Sequence, residues 1–276
     1  MRKHSRAFVF IFVACCVFSC DSLKKSKDIV FNRFRISTTS MAPALQPGEV
    51  YSVIDADSFL TNQIAAYYPP KKFRMDDPDV IWVHRLIAVP GDIIEMKKGV
   101  LFLNGRTYPF RIDLRHSYRV KTKMPLAEKK IEALEYHILS FNEYNFNATR
   151  DEIATLKENP AVLSVSPGVY DGEEDESNAL RITGRNRDNW GPVQVPKRGD
   201  HILITEHNIR QYETIMTEYE GQPVPSVGTA HVVEKDYYFV LGDNRHNALD
   251  SRYTGFIPYD QMAGIMIDPL EGLSSE

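Results

Sequence analysis

The sequence predicts a mainly β fold interrupted by an inserted α+β subdomain, and three features of its patterning predict it. Apolar and polar residues alternate with a period of two through much of the first hundred positions, as half-buried strands do. The spacing turns helical from about residue 124 to residue 158, and β patterning returns after residue 193. A chain of 276 residues has room for one large domain carrying such an insertion.

The N-terminus reads as a targeting segment. Arg2, Lys3 and Arg6 form a basic head, and residues 7–20 (AFVFIFVACCVFSC) carry no charge. Basic head, short apolar run and small residue near its end make the export-signal pattern, and the run is shorter than the roughly 20 residues of a bilayer-spanning helix. Its ending, Val17-Phe18-Ser19-Cys20, resembles a lipobox, which makes Cys20 a lipidation candidate whose acyl chains would hold the body to membrane lipid. The alternative is an uncleaved signal anchor helped by Lys24, Lys25 and Lys27. Both readings put the body in the cell envelope, outside the cytoplasm. Cys15, Cys16 and Cys20 are the only cysteines, so the rest of the chain has none for a disulfide or a thiolate metal site.

Residues 29–36 (IVFNRFRI) alternate as a strand, followed at once by the loop TTSMAPALQPGE. Residues 49–54 and 80–89 read as further strands, and residues 93–96 and 100–103 as a hairpin whose turn, Lys97-Lys98-Gly99, needs its glycine. Segments 29–105 and 190–276 are therefore assigned to the β core and 106–189 to the insertion. Within the insertion Leu126, Ile131, Leu134 and Ile138 fall on one helical face, and Thr149-Arg150-Asp151-Glu152 is a cap for a second helix. The acidic run 171–176 is a solvated loop, since no histidine lies near it to complete a metal site. Ile209, Tyr212, Ile215, Met216 and Tyr219 give residues 208–219 a helical stripe, read as packing; an apolar strand follows at 237–241.

Composition excludes several functions. A net charge of −4 offers no basic field, and no nucleic-acid-reading motif is present, so nucleic acid is not a partner. With 43% hydrophobic and 25% charged residues the body is neither disordered nor polytopic. Glycine-rich phosphate loops, paired-histidine zinc spacings and the nucleophile elbow are all absent, which leaves no metal or cofactor to expect.

Three blocks remain. Thr38-Thr39-Ser40-Met41-Ala42-Pro43-Ala44-Leu45 sets a serine in a tight loop directly after a strand. Trp82-Val83-His84-Arg85-Leu86 puts histidine and arginine on opposite faces of a strand, so that one can face a cleft while the other makes a structural ion pair. Residues 241–252 (LGDNRHNALDSR) crowd acids, amides and arginines behind an apolar strand, either as a bracing turn or as a charged surface loop.

In this order the blocks resemble the signature boxes of type I signal peptidases, the serine peptidases of family S26. The boxes read Ser-Met-x-Pro-x-Leu, then basic-Arg followed by Val-Pro-Gly-Asp, then Gly-Asp-Asn-Arg-x-Asn-x-x-Asp-Ser-Arg-Tyr-x-Gly-Phe-Ile-Pro. Trp190-Gly191-Pro192 with Pro196-Lys197 is similar to bacteroidete members. The resemblance implies a core of coiled antiparallel sheets and an endopeptidase that cleaves exported precursor polypeptides after small residues, without metal or cofactor. It implies Ser40 as nucleophile, Met41 beside the pocket for small side chains, and an oxyanion hole from the Ser40 N–H and the Thr38 hydroxyl. Arg85 with Asp243, and Asp250 with Arg252, match buried supporting pairs.

This sequence departs from the family in three places. His84 stands where most bacterial members carry a lysine base, Ala248 where a serine holds that lysine, and Thr61-Asn62-Gln63 where Arg-Gly-Asp is usual. A lysine base must be desolvated until its pKa falls by several units, whereas an imidazole starts near 6.5 and needs less help. A Ser40–His84 dyad is therefore expected, with Asp250 as a candidate to orient the imidazole. The alternative is an inactive paralogue that binds peptides as an envelope lipoprotein.

Overall fold

A computed structural model describes residues 32–74, 77–109, 113–127, 131, 134–168 and 184–267. The export-type segment with Cys20, the first residues of the 29–36 strand and the acidic run 171–176 lie outside the described residues. The chain is mainly β and its principal sheet is curled and antiparallel, as the sequence predicts.

The strands, in chain order, begin with β1 (Asn32–Arg35), β2 (Val50–Ile54), β3 (Ile64–Tyr67) and β4 (Trp82–Ala88). The expected hairpin follows as β5 (Ile93–Lys97) and β6 (Val100–Leu103), with β7 (Arg106–Thr107) beside it. Next come β8 (His116–Thr122), β9 (Glu135–Ser140), β10 (Glu143–Ala148), helix α1 (Arg150–Lys157) and β11 (Val162–Pro167). The chain returns through β12 (Gly184–Asn186), β13 (Asn189–Gln194), β14 (His201–Leu203), helix α2 (Ile209–Thr214) and β15 (Ala230–Val232). It ends with β16 (Tyr237–Leu241), the short helix α3 (Ser251–Thr254), β17 (Ile257–Pro258) and β18 (Met262–Ile267).

Among the described residues the principal sheet runs β1-β2-β18-β3-β4-β16-β17, and a second runs β12-β13-β5-β6-β7. β16 explains why its sequence, YYFVL, is apolar throughout. Tyr237, Phe239 and Leu241 enter the large core shared with β5, β13 and α2, while Tyr238 and Val240 pack on the other face with Phe59, Tyr67 and Leu86. A strand buried on both faces loses the alternation of a half-buried one. α2 continues into one wider π turn over Ile215–Tyr219, and Tyr212, Ile215, Met216 and Tyr219 all reach the large core, so the helical stripe is packing. Gly191 takes φ +84 where β13 bulges against β5, and a Cβ there would lie 2.7 Å from the Ile94 carbonyl oxygen.

β8 to β11 form a separate sheet, β11-β8-β10-β9, with a core of its own around Val120, Tyr144, Phe146, Ile153 and Leu156. Here one expectation fails. Residues 135–148 form the β9–β10 hairpin, although the spacing of Leu126, Ile131, Leu134 and Ile138 suggests a helix. Tyr136, Tyr144 and Phe146 stack across the hairpin with ring centroids 5.5–6.2 Å apart, and cross-strand aromatic pairing of this kind outweighs helical spacing. The capping expectation holds: the Thr149 hydroxyl accepts from the Glu152 N–H, and the Glu152 carboxylate accepts from the Thr149 N–H. No helix among the described residues is long and apolar enough to cross a membrane.

Candidate active site

The loop of the candidate nucleophile leaves β1 through Ile36 and turns at residues 39–45. Met41 and Leu45 are buried beneath it in a small apolar cluster with Ile36, which anchors the turn from below. The Met41 side chain is wholly buried in that cluster, directly beneath Ser40. Ser40 is half-buried above it, and its Oγ shares a 3.0 Å hydrogen bond with Thr38 Oγ1. The Ser40 N–H donates to no acceptor among the described residues.

β4 supplies the second wall. Its alternation sends His84 toward the cleft and Arg85 to the opposite face. Arg85 clasps Asp243 with two bonds, Nε to Oδ1 at 2.8 Å and Nη2 to Oδ2 at 2.6 Å, and also donates to the Asn62 carbonyl at 2.6 Å. Asn62 has φ +73, a left-handed conformation that asparagine tolerates better than most residues. The Thr61-Asn62-Gln63 departure thus keeps the backbone shape a glycine would take.

A cavity of about 630 Å³ is lined by both Ser40 and His84, together with residues 34–39, 80–83 and 246–249 and Tyr253. Gly242 is the point where the two walls meet. A Cβ there would lie 2.7 Å from the Ser40 carbonyl oxygen, 2.2 Å from the Ala248 methyl and 3.5 Å from His84 Cδ2. The imidazole is buried, 3% exposed, and its Nδ1 shares a 2.7 Å hydrogen bond with the Tyr67 hydroxyl. Its Nε2 has no partner among the described residues, and the hydrogen bond to Ser40 Oγ is not formed. Burial holds the imidazole pKa down to about 4; the Asp250 charge pulls it up and the Arg252 charge pushes it down. The ring is therefore neutral at pH 7. Tyr67 stays a phenol, since burial and then the Asp250 charge drive its pKa well above the usual value.

Asp250 does not touch the imidazole. Its oxygens accept from Arg252 Nε and Nη2, both at 2.8 Å, and from the Gly242 N–H at 3.0 Å. Burial alone would raise the Asp250 pKa, but the Arg252 charge and hydrogen bonds bring it below the ordinary value. Ala248 offers the ring only a methyl group.

Four contributors escaped the sequence reading. Tyr67 and Gly242 have just been placed. Asn244 holds the nucleophile loop directly, its N–H donating to the Ser40 carbonyl at 3.0 Å. Glu135, at the start of β9, accepts from the side-chain amides of Asn244 and Asn247, and those amides also reach the Thr39 carbonyl and hydroxyl. Only the density of amides in the third block hinted at such bracing. Among the described residues no group of three histidine, cysteine or acidic side chains is arranged as a metal site.

Residues 5–161 and 191–268 match the family described as signal peptidase, peptidase S26. A signal peptidase I from Buchnera aphidicola subsp. Baizongia pistaciae (strain Bp) is 26% identical over 246 residues, spanning 85% of this chain and 67% of its own length. One from Buchnera aphidicola subsp. Schizaphis graminum (strain Sg) is 38% identical over 79 residues, 27% of this chain and 25% of that protein. A crystal structure of a signal peptidase I from Enterococcus faecalis V583 aligns with 77% of this chain and 100% of its own at 17% identity, with a TM-score of 0.29. Members of the family are membrane-associated with an extracytoplasmic catalytic domain. The family match covers most of the chain, and the chain therefore belongs to the signal peptidase family S26, the serine endopeptidases that cleave signal peptides from exported precursors.

Proposed function

We propose that this chain cleaves exported precursor polypeptides with a Ser40–His84 dyad, working from a membrane tether on the extracytoplasmic side. The observation that carries the reading is a shared cleft in which a neutral, unpartnered His84 Nε2 accompanies the Ser40 hydroxyl. When substrate binds, the Ser40 hydroxyl turns from Thr38 to Nε2, a closure that catalytic hydrogen bonds often complete only in the reacting complex. Nε2 then takes the Oγ proton as Oγ bonds to the scissile carbonyl carbon, and the carbonyl electron pair moves to its oxygen. The open Ser40 N–H and the Thr38 hydroxyl donate to that oxyanion. Collapse breaks the C–N bond, with the Nε2 proton passing to the leaving amine; water repeats the sequence to free the acyl group and regenerate Ser40.

The strand residues Phe34, Arg35, Trp82 and Val83 line the cavity, which suits a precursor bound as an extended chain. Buried Arg85–Asp243 and Arg252–Asp250 pairs support the turn that carries Gly242. In this reading segments 29–105 and 190–276 are the catalytic core, 106–189 is the inserted subdomain, and an acylated Cys20 or an uncleaved anchor holds the body to membrane lipid. Ser40→Ala in the full chain, assayed on a signal-peptide-bearing precursor, is expected to abolish cleavage. His84→Gln is expected to lower kcat by about 10²–10⁴, the range of a general base. Undiminished cleavage by either variant overturns the dyad.

A further inference from the structure

We propose that Tyr67 is the positioning residue of this dyad: its hydroxyl oxygen accepts the Nδ1–H of His84 and so fixes the tautomer whose Nε2 lone pair is left for Ser40. The inference rests on the dyad proposed above and deepens it, by naming what orients the base where the family's serine is replaced by Ala248.

The strand register brings the two side chains together. In the β3–β4 ladder Tyr67 pairs with Trp82 and Ala65 with His84, so Tyr67 and His84 are diagonal neighbours on one face. Diagonal positions are within reach of long side chains. Ala65, wholly buried opposite His84, projects only a methyl group, so nothing bulky separates phenol from imidazole. The result is the 2.7 Å contact at Nδ1, and the ring has no other hydrogen-bond partner among the described residues.

That contact admits two arrangements. If Tyr67 donated to Nδ1, the imidazole proton would sit on Nε2, where it is buried, fixed in direction and without an acceptor. The ring would also be unable to take a proton from Ser40. If Nδ1–H donates to Tyr67, Nε2 keeps an unused lone pair, and the phenolic proton can rotate about its C–O bond to seek a partner. Each arrangement leaves one buried donor, an imidazole N–H or a phenolic O–H, and only the phenolic one can turn. The second arrangement is also the one in which Ser40 can be activated. Asp250, whose oxygens are taken up by Arg252 and Gly242, contributes its charge to the imidazolium and not a hydrogen bond. A neutral phenol thus occupies the position of the acid in a serine triad, and holds the tautomer as that acid would.

The test reads the tautomer itself. In detergent-solubilised full chain labelled with ¹⁵N-histidine, long-range ¹H–¹⁵N correlations of the His84 ring, identified by their absence in His84→Gln, are expected to show Nδ1 protonated at pH 7. In Tyr67→Phe, which removes one oxygen, the ring is expected to shift toward the Nε2–H form. With it kcat falls about 100-fold, the low end of a general base's contribution, while KM changes little. An Nε2–H tautomer in the unmutated protein overturns the proposal whatever Tyr67→Phe does. So does a Tyr67→Phe protein with unaltered tautomer and kcat. If that result accompanies inactive Ser40→Ala and His84→Gln, Tyr67 alone loses its role; if those two still cleave, the dyad falls as well.

Discussion

Gly242 has room for a hydrogen and little else. Its neighbours at a Cβ position are the Ser40 carbonyl oxygen and the Ala248 methyl, at 2.7 and 2.2 Å, one of them backbone that cannot swing aside. Gly242→Ala is therefore expected to push the nucleophile loop from the third block, costing about 1–3 kcal/mol of stability by overpacking. Displacement of a reacting group by about 1 Å costs up to 10²-fold in rate, so kcat should fall further than stability alone explains. Denaturant titration and precursor cleavage on the same sample separate the two effects. His84 gives a prediction with a definite sign. Its pKa of about 4 means that the proposed base is free above that pH and lost below it. The acid limb of kcat/KM is thus expected near pH 4, well under the ordinary imidazole value of about 6.5. A limb at 6.5 would mean that water reaches the ring in the free enzyme. Ser40, His84 and the Arg85–Asp243 pair were legible in the sequence because each sits in a dense, ordered motif. Tyr67 was not: its meaning depends on the β3–β4 register, and nothing local to Ala65-Ala66-Tyr67 marks it.

The β9–β10 hairpin illustrates the same limit for whole elements. Its core residues are spaced in a way that fits a helix, and only the aromatic stack across the strands shows why it pairs instead. β16 and α1 were legible, one from an unbroken apolar run and the other from a capping box, since both signals are local. What no local signal carries is the grip of the hairpin on the nucleophile loop. Glu135 accepts from Asn244 and Asn247, whose amides bond the Thr39 carbonyl and hydroxyl. Glu135→Ala removes one of the two acceptors of each amide, and the buried Asn244 N–H so released is expected to cost about 1–3 kcal/mol. Since Thr39 adjoins Ser40, kcat should drop about 10- to 100-fold while β8 to β11 keep their circular dichroism. A Glu135→Ala protein with unaltered kcat would reduce the β9–β10 hairpin to a bystander of catalysis.

At the scale of the molecule the buried histidines set how the fold responds to acid. His84 is held neutral first by burial, and His116, its pKa lowered to about 3, is held by burial and then by the charges of Arg245 and His246. His246 is lowered in the same direction, again chiefly by burial. In the unfolded chain each would titrate near 6.5, so below that pH the unfolded state binds protons that the folded state refuses. Stability should be level above about pH 7 and decline as pH falls from 6.5 toward 4. A shift from 6.5 to about 4 makes the share of His84 alone about 3 kcal/mol. Asp250 adds its loss later: its folded pKa lies below the carboxylate value, so its contribution persists until the pH falls through that range. His84→Gln keeps a buried polar side chain but cannot titrate. Its urea midpoint should therefore fall less steeply than the parent's between pH 6.5 and 4, and the curves should run parallel above pH 7. Parallel curves across the whole range would show that His84 takes up its proton without unfolding pressure, and that the cleft is wetter than its burial implies.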